Sequence, residues 1–187
     1  MPNKHKAAAL AAKNLDPVRW GVLSASNFAL KVSLPGMKKG ALTSLRALAS
    51  RDLGKSKAAA QALGIPKAYG TYEELLADPE IEAIYNLLPN HMHVEWTARA
   101  ARAGKHVLCE KPVALTAKEA EVLLAAQKES GKIISEAFMV RSHPQWQQAR
   151  AWVTEGRIGE LLSVQTAFSY LKKAGSLSQV LTPASFI

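Results

Sequence analysis

Short unbroken apolar runs alternate along this chain with stretches whose apolar positions recur at helical spacing. VRWGVLSA (Val18–Ala25) predicts a strand running into a turn, and NFALKVSLPGMKKG a helix or broken helix containing Pro35. TSLRALAS (Thr43–Ser50) is the next strand, and DLGKSKAAAQALG the next helix, terminated by Gly64. KAYG reads as a short strand. In TYEELLADPE, Thr71 and Glu74 have the spacing of a capping box. AIYNLLP (Ala83–Pro89) is an apolar strand, HVEWTARAARAG a helix closed by Gly104, and HVLCE another strand. Thr116 and Glu119 cap the helix TAKEAEVLLAAQKESG, and KIISEAF (Lys132–Phe138) closes the series.

The connections are short and the strands are apolar on both faces. That combination predicts an α/β fold of the Rossmann type, a doubly wound parallel sheet between helices joined by right-handed crossovers. The dinucleotide-binding domain is expected over 17–138, after a flexible basic tail at 1–16. Beyond Phe138 the rhythm changes. HPQWQQARAWVTEG predicts a helix and ELLSVQTAFSYL (Glu160–Leu171) a strand of period two, while KKAGSLSQVLTPASFI has no periodicity. Residues 139–187 therefore read as the opening of a second α+β domain that the chain does not complete.

Composition narrows the function classes. An apolar share of 48% over 187 residues is that of a globular core. The Ala-rich start lacks the apolar segment of a signal peptide, and no later run is long enough to span a bilayer, so a cytoplasmic, membrane-free protein is expected. Cys109 is the only cysteine, which excludes an intramolecular disulfide; the histidines lack finger-like spacing, so no metal site is expected. The formal charge of +9 is spread along the chain, and the few aromatic residues do not interleave with it as a nucleic-acid stacking platform requires. A phosphorylated small ligand explains the surplus more economically.

In a doubly wound sheet ligands bind at the carboxyl ends of the strands, so the strand-end loops carry the candidates. The first is Ser24-Ala25-Ser26-Asn27-Phe28-Ala29. In the register of a G-x-G-x-x-G/A fingerprint, Ser24 and Ser26 replace the first two glycines and Ala29 the third. Serine hydroxyls can donate to phosphate oxygens, and the helix N-terminus behind them attracts an anion. A plain strand–turn–helix reads the same way, so this turn alone does not decide.

The second strand ends at Ser50-Arg51-Asp52, where NAD-binding proteins place an acid for the ribose hydroxyls. A hydroxyl plus a guanidinium suits a 2′-phosphate instead, which favours NADP over NAD. The alternative is an exposed Arg51 paired with Asp52. The fourth strand runs into Leu88-Pro89-Asn90-His91-Met92-His93, and the fifth into Glu110-Lys111-Pro112.

Together RWGVLSAS, ALASRD, LLPNHMHVEW, AGKHVLCEKPVALT and EAFMVRSHPQ resemble the Gfo/Idh/MocA family of NAD(P)-dependent oxidoreductases, in order from Val18 to Tyr170. The serine-containing turn and the SRD are most similar to its dihydrodiol dehydrogenase and NADP-linked xylose dehydrogenase branch. The resemblance implies a commonly cis Lys111–Pro112 bond. It also implies a Lys111 that faces nicotinamide and substrate, hydrogen-bonding the hydroxyl or carbonyl of a sugar or diol. Glu110 would orient Lys111 or the nicotinamide ribose, and Asn90 would bond the cofactor. His93 is read equally as a helix-start structural residue or as a cofactor or substrate contact. His91 is expected exposed; His143 reads as a cap or as a residue on the substrate side. Cys109, Trp96, Trp146 and Trp152 are read as packing residues.

The resemblance further implies that the second domain supplies the general acid/base, the sugar contacts and often dimerisation. No such acid/base pair can be assigned here, so the chain is expected to be a C-terminally truncated fragment and a possible homo-oligomer. It is an enzyme by descent. The competing class is a non-catalytic NAD(P)-binding regulatory or remnant module.

Overall fold

The computed structural model describes residues 15–167 and 169. By contact density the chain divides into two units, Met1–Met139 and Val140–Ile187. The first is built on six strands: β1 (Val18–Leu23), β2 (Thr43–Ala49), β3 (Lys67–Tyr69), β4 (Ala83–Asn86), β5 (His106–Glu110) and β6 (Ile134–Ala137). They form one sheet in the order β3-β2-β1-β4-β5-β6, and every pairing is parallel.

Apolar side chains on both faces of the strands explain this arrangement, because a parallel sheet must be covered on each side. Leu23, Ala49, Ile84, Val107 and Cys109 point to one face and pack with residues of α3 (Tyr72–Ala77) and α4 (His93–Arg102). Val22, Leu48 and Tyr85 point to the other, with Ala29 and Leu34 of the first helical segment and Ala59 and Ala60 of α2 (Leu53–Leu63). Gly21 lets α3 come close to β1: a Cβ there would lie 2.6 Å from Leu75 Cδ2.

The helix ends follow the polar residues predicted to cap them. Asp52 accepts the Lys55 N–H at 3.0 Å to start α2, and Thr71 with Glu74 forms the full capping box of α3. Thr116 caps α5 (Ala117–Ser130) through the Glu119 N–H. Gly64 and Gly131, at φ 62° and 66°, close α2 and α5 in the left-handed conformation that glycine adopts without a steric penalty. Pro35 does not break the first helix. The helix runs without a break from Asn27 through a π-helical turn, Ala29–Ser33, into α1 (Leu34–Met37), and the change of helical pitch falls where Pro35, which has no N–H to donate, enters.

Two of the predicted strands are shorter than their apolar runs. β1 stops at Leu23 and β4 at Asn86. Asn86 Oδ1 accepts the Leu88 N–H at 3.1 Å, a side-chain bond that turns the main chain out of the ladder.

The opposite rim of the sheet is closed by charge. Lys105 is buried, its Nζ donating to the carbonyls of Asp78 (2.7 Å) and Ile81 (2.8 Å). The Asp78 carboxylate accepts from Lys67 Nζ (2.9 Å), Tyr69 Oη (2.8 Å) and the Glu80 N–H (2.9 Å).

In the second unit α6 (Pro144–Thr154) starts at His143, whose ring accepts the Gln145 N–H at 3.2 Å; the capping reading of that histidine is the one observed. The strand expected over Glu160–Leu171 is not present in its described part: residues 161–167 have no regular structure. They have no partner strand among the described residues, and period-two alternation does not make a strand without a ladder to pair with. Leu162 and Val164 stand 86% and 72% exposed. Trp96 is buried, edge-on to Tyr72, but Trp146 and Trp152 are about half exposed, so the packing expectation fails for those two. The basic tail lies mostly outside the described residues, as does the end of the chain from 170 onward.

Candidate active site at the carboxyl rim of the sheet

Because every strand is parallel, the carboxyl ends of β2, β1, β4 and β5 share one rim, in that order. Three inter-strand spacings, about 14 Å, separate the first from the last. The turn after β1 and the loops after β2, β4 and β5 therefore line a single edge. The change of direction in strand order falls between β1 and β4, which is where ligands bind in such sheets.

At the end of β1, Ser24 keeps its N–H in the ladder, donating to Ala49 O at 3.0 Å. Its φ of 121° lies in a region that favours glycine, and it is the one non-glycine with positive φ among the described residues. Ser24 thus adopts the backbone of the fingerprint's first glycine while carrying a hydroxyl. Ser24 Oγ accepts the Ser26 N–H (3.1 Å), and Ser26 Oγ accepts the Ala29 N–H (3.2 Å). Both hydroxyl protons remain to be donated. Asn27 and Phe28 are exposed in the helix's first turn, where N–H groups have no intrahelical carbonyl.

At the end of β2 the two candidates part company. Ser50 is buried, and its hydroxyl donates to Asp52 O (2.7 Å) while accepting from the Asp52 N–H (3.2 Å) and Ser56 Oγ (2.9 Å). Its one proton and both lone pairs have partners inside the protein, where they shape the loop that presents Arg51. Arg51 is exposed and makes no ion pair with Asp52, whose carboxylate is occupied at the α2 N-terminus. Its guanidinium sits by Tyr72: burial raises that phenol's pKa, and the Arg51 charge and hydrogen bond draw it partly back.

After β4, Leu87 N–H donates to Leu23 O at 3.1 Å, and Leu88 is buried in the core, so only its main chain reaches the rim. Pro89, Asn90 and His91 are exposed. His93 is not. Its ring is 1% exposed, with Nε2 2.7 Å from Leu88 O and Nδ1 2.7 Å from Pro112 O. Both ring nitrogens thus have main-chain partners, which is the arrangement its structural reading describes.

After β5, the Lys111–Pro112 bond is cis. Lys111 is exposed, and its amine has no hydrogen bond or ion pair among the described residues. Its neighbours are fastened. Glu110 Oε1 accepts from Tyr85 Oη at 2.5 Å, and the Val113 N–H donates to Glu136 Oε1 at 3.0 Å. Burial, with the Glu110 hydrogen bond second, raises the Tyr85 phenol far above its ordinary range, so it stays a donor. Burial likewise pushes the Cys109 thiol up to about 12, an inert packing residue.

Tyr85, Asn86, Thr97 and Glu136 were not anticipated from sequence. Asn86 was legible in principle. A polar residue inside the apolar run AIYNLLP must find partners when buried, and its amide does: Thr97 Oγ1 at 3.0 Å and His93 O at 3.2 Å.

Residues 18–138 match the description of an oxidoreductase family with an NAD-binding Rossmann fold. The chain belongs to the Gfo/Idh/MocA family. Among curated Gfo/Idh/MocA relatives, an uncharacterised oxidoreductase of Rhizobium meliloti is 46% identical over 83% of this chain and 46% of its own length. A D-xylose 1-dehydrogenase (NADP(+)) of Haloferax volcanii is 38% identical over 81% of this chain and 46% of its own. A solved 3-ketoreductase from Actinomadura kijaniata in complex with NADP is 38% identical, superposing with a TM-score of 0.71 over 78% of this chain and 46% of its own. The chain thus spans about half the length of the relatives it matches. The cofactor family fits the rim: a first turn already in the glycine conformation, two hydroxyl protons undonated, and an arginine without an acidic partner.

Proposed function

We propose that this chain is the NADP-binding, lysine-bearing part of a dehydrogenase acting on a sugar or diol. When bound, the nicotinamide supplies or accepts hydride. Arg51 grips the 2′-phosphate with a planar, permanently charged fork. Ser24, Ser26 and the N–H groups of Asn27 and Phe28 bond the diphosphate at the helix N-terminus. Main-chain groups of Leu88 and Pro89, with the Asn90 side chain, hold the ribose and nicotinamide end. The Lys111 amine donates to the substrate oxygen and stabilises negative charge as it develops there. Glu110, held by Tyr85, keeps the loop in register with the cofactor.

The observation that carries this reading is a Lys111 amine without a partner among the described residues, on a loop whose flanks are tied down, on the same rim as Arg51, which has no acidic partner among them. An amine held this way costs little reorganisation when substrate arrives. Titration with NADPH, followed by turnover assays on a panel of aldoses and diols, tests it. Lys111→Met should keep NADPH affinity within about threefold, since the lysine serves the reaction and not the phosphates, and abolish turnover. A large loss of NADPH binding means the lysine's role is misassigned.

A second reading rests on a specific observation. Beside Lys111 the acid with a tyrosine partner among the described residues is Glu110, and its Tyr85 phenol is held far above its ordinary range as a donor to that carboxylate, so this pair supplies no separate proton-transfer group. A non-catalytic NADP-binding module would bind NADPH and turn over nothing. We also propose the cytoplasm as the protein's compartment, on its buried lone cysteine; no helix of the described residues is long and apolar enough to cross a membrane. Self-association through exposed Leu162 and Val164 is expected, and light scattering at two concentrations reads it.

A further inference from the structure

We propose that Asn86 is a positioning residue: its buried carboxamide bridges the loop after β4 to the start of α4 and so holds the main chain that meets the nicotinamide end of the cofactor. The bridge stands on geometry alone; its consequence for binding rests on the reading of this rim as an NADP site.

Asn86 is the last residue of β4, between Leu23 of β1 and Cys109 of β5, and it is fully buried. Its Oδ1 accepts the Leu88 N–H at 3.1 Å. Its Nδ2 donates to His93 O at 3.2 Å and to Thr97 Oγ1 at 3.0 Å. His93 and Thr97 stand one helical turn apart, so one face of α4 presents both acceptors to the strand. The main-chain partners settle which way the amide faces, because an N–H can only donate and a carbonyl can only accept. A carboxamide carries an acceptor and a donor on one neutral plane and matches both sides without a titrating proton. Aspartate lacks the donor, and leucine lacks both groups.

The contact with Leu88 falls immediately before the exposed tip of the loop. Leu87 N–H is taken by Leu23 O at 3.1 Å, and Pro89 has no N–H. Leu88 N–H is therefore the last main-chain donor before Asn90 and His91. Beyond the tip, Met92 N–H donates to Pro89 O at 2.8 Å, and the chain enters α4 at His93, whose carbonyl Asn86 also holds. The His93 ring, 2.7 Å from Leu88 O, closes the same joint from the helix side. Asn86 thus grips the loop where it leaves the sheet and where it returns. The tip stays open while both its ends are fastened to the core, which lowers the ordering cost when a ligand arrives.

Asn86→Leu keeps a branched side chain and removes every hydrogen bond of the amide. Hydrogen exchange at the Leu88 amide, followed by NMR on the free full chain, reads the bridge without any cofactor or substrate. Exchange about tenfold faster in the variant is expected, for the loss of one hydrogen bond; an unchanged rate overturns the bridge. The functional half is read by titrating two ligands, NADPH and 2′-phospho-ADP-ribose, which lacks the nicotinamide. NADPH should bind about five- to tenfold more weakly to the variant and the fragment within about twofold of the parent, because only NADPH reaches the loop after β4. Equal losses for both ligands mean a general structural role and overturn the positioning, as does no loss for either. If Asn86→Leu does not fold, Thr97→Val, which removes one of the amide's two acceptors, decides in its place: the same split at about threefold is expected, and parent affinities for both ligands overturn the proposal. A parent chain that binds neither ligand refutes the NADP reading, while the exchange rate at Leu88 still decides the bridge.

Discussion

Removing the Arg51 guanidinium should convert a chain that prefers NADPH into one that scarcely distinguishes the two cofactors. The magnitude follows from its surroundings. Arg51 is exposed, and Asp52, the acid next to it, is committed to the Lys55 N–H at 3.0 Å, so no carboxylate neutralises the charge. A hydrogen bond to a charged partner contributes about 1.5–3 kcal/mol, and solvent exposure places Arg51 at the lower end of that range. At about 1.4 kcal/mol per factor of ten, Arg51→Ala should weaken NADPH binding by roughly 10- to 30-fold at low salt. NADH, without the 2′-phosphate, should weaken by less than about twofold. Arg51→Lys keeps the charge but not the planar fork and should fall between parent and alanine.

The assay is a pair of fluorescence titrations, NADPH and NADH, at low and moderate ionic strength. The NADPH penalty should shrink as salt rises, because the lost contact is screened. A companion variant separates Arg51 from its neighbour. The Ser50 hydroxyl is saturated by Asp52 and Ser56, so Ser50→Ala should lower stability by about 1 kcal/mol and leave the cofactor ratio unchanged. Equal losses for both cofactors in Arg51→Ala, or a shifted ratio in Ser50→Ala, would refute the assignment.

Tyr85→Phe keeps the ring in the core and deletes only the donor to Glu110; an unfolding free energy lower by about 1–2 kcal/mol in urea melts is expected, and an unchanged value would show the 2.5 Å contact contributes nothing. For Asp78, burial alone raises the carboxyl's pKa, but Lys67, the Glu80 N–H and Tyr69 outweigh it and hold it below the usual value. A depressed carboxylate stabilises the fold above its unfolded pKa and loses that contribution as pH falls through the folded value. Asp78→Asn should therefore cost most near neutrality and progressively less in acid, by denaturant melts across the series; a cost independent of pH would exclude the carboxylate's charge as the cause.

The sheet was readable because its signal is local and redundant. β4 and the carboxyl halves of β1 and β2 are buried on both faces, so an apolar run bounded by caps is enough to find them, and Thr71 with Glu74 or Asp52 before α2 carries its cap within four residues. The loops that bind were also locatable, since strand parallelism alone puts all carboxyl ends on one rim. What those loops do with each side chain was not legible, because the partners come from elsewhere in the chain. Ser50 reads in the sequence as a hydroxyl at a strand end, and only the fold brings Ser56 and the Asp52 main chain to it. His93 looked like a coin toss, since its second acceptor, Pro112 O, lies nineteen residues away. Tyr85 disappeared into an apolar run because its ring obeys the core pattern and only its hydroxyl, reaching twenty-five residues ahead to Glu110, serves the site. The same logic explains the missing strand over residues 161–167, the described part of the expected Glu160–Leu171. Alternation specifies which face of a strand is apolar; it does not supply the neighbouring strand whose N–H and C=O groups must be met before the segment leaves solution. A tyrosine or asparagine inside an apolar strand that runs to a catalytic rim therefore merits the scrutiny usually given to the loop, because a rigid donor there can act on the residue that does the chemistry while standing outside it.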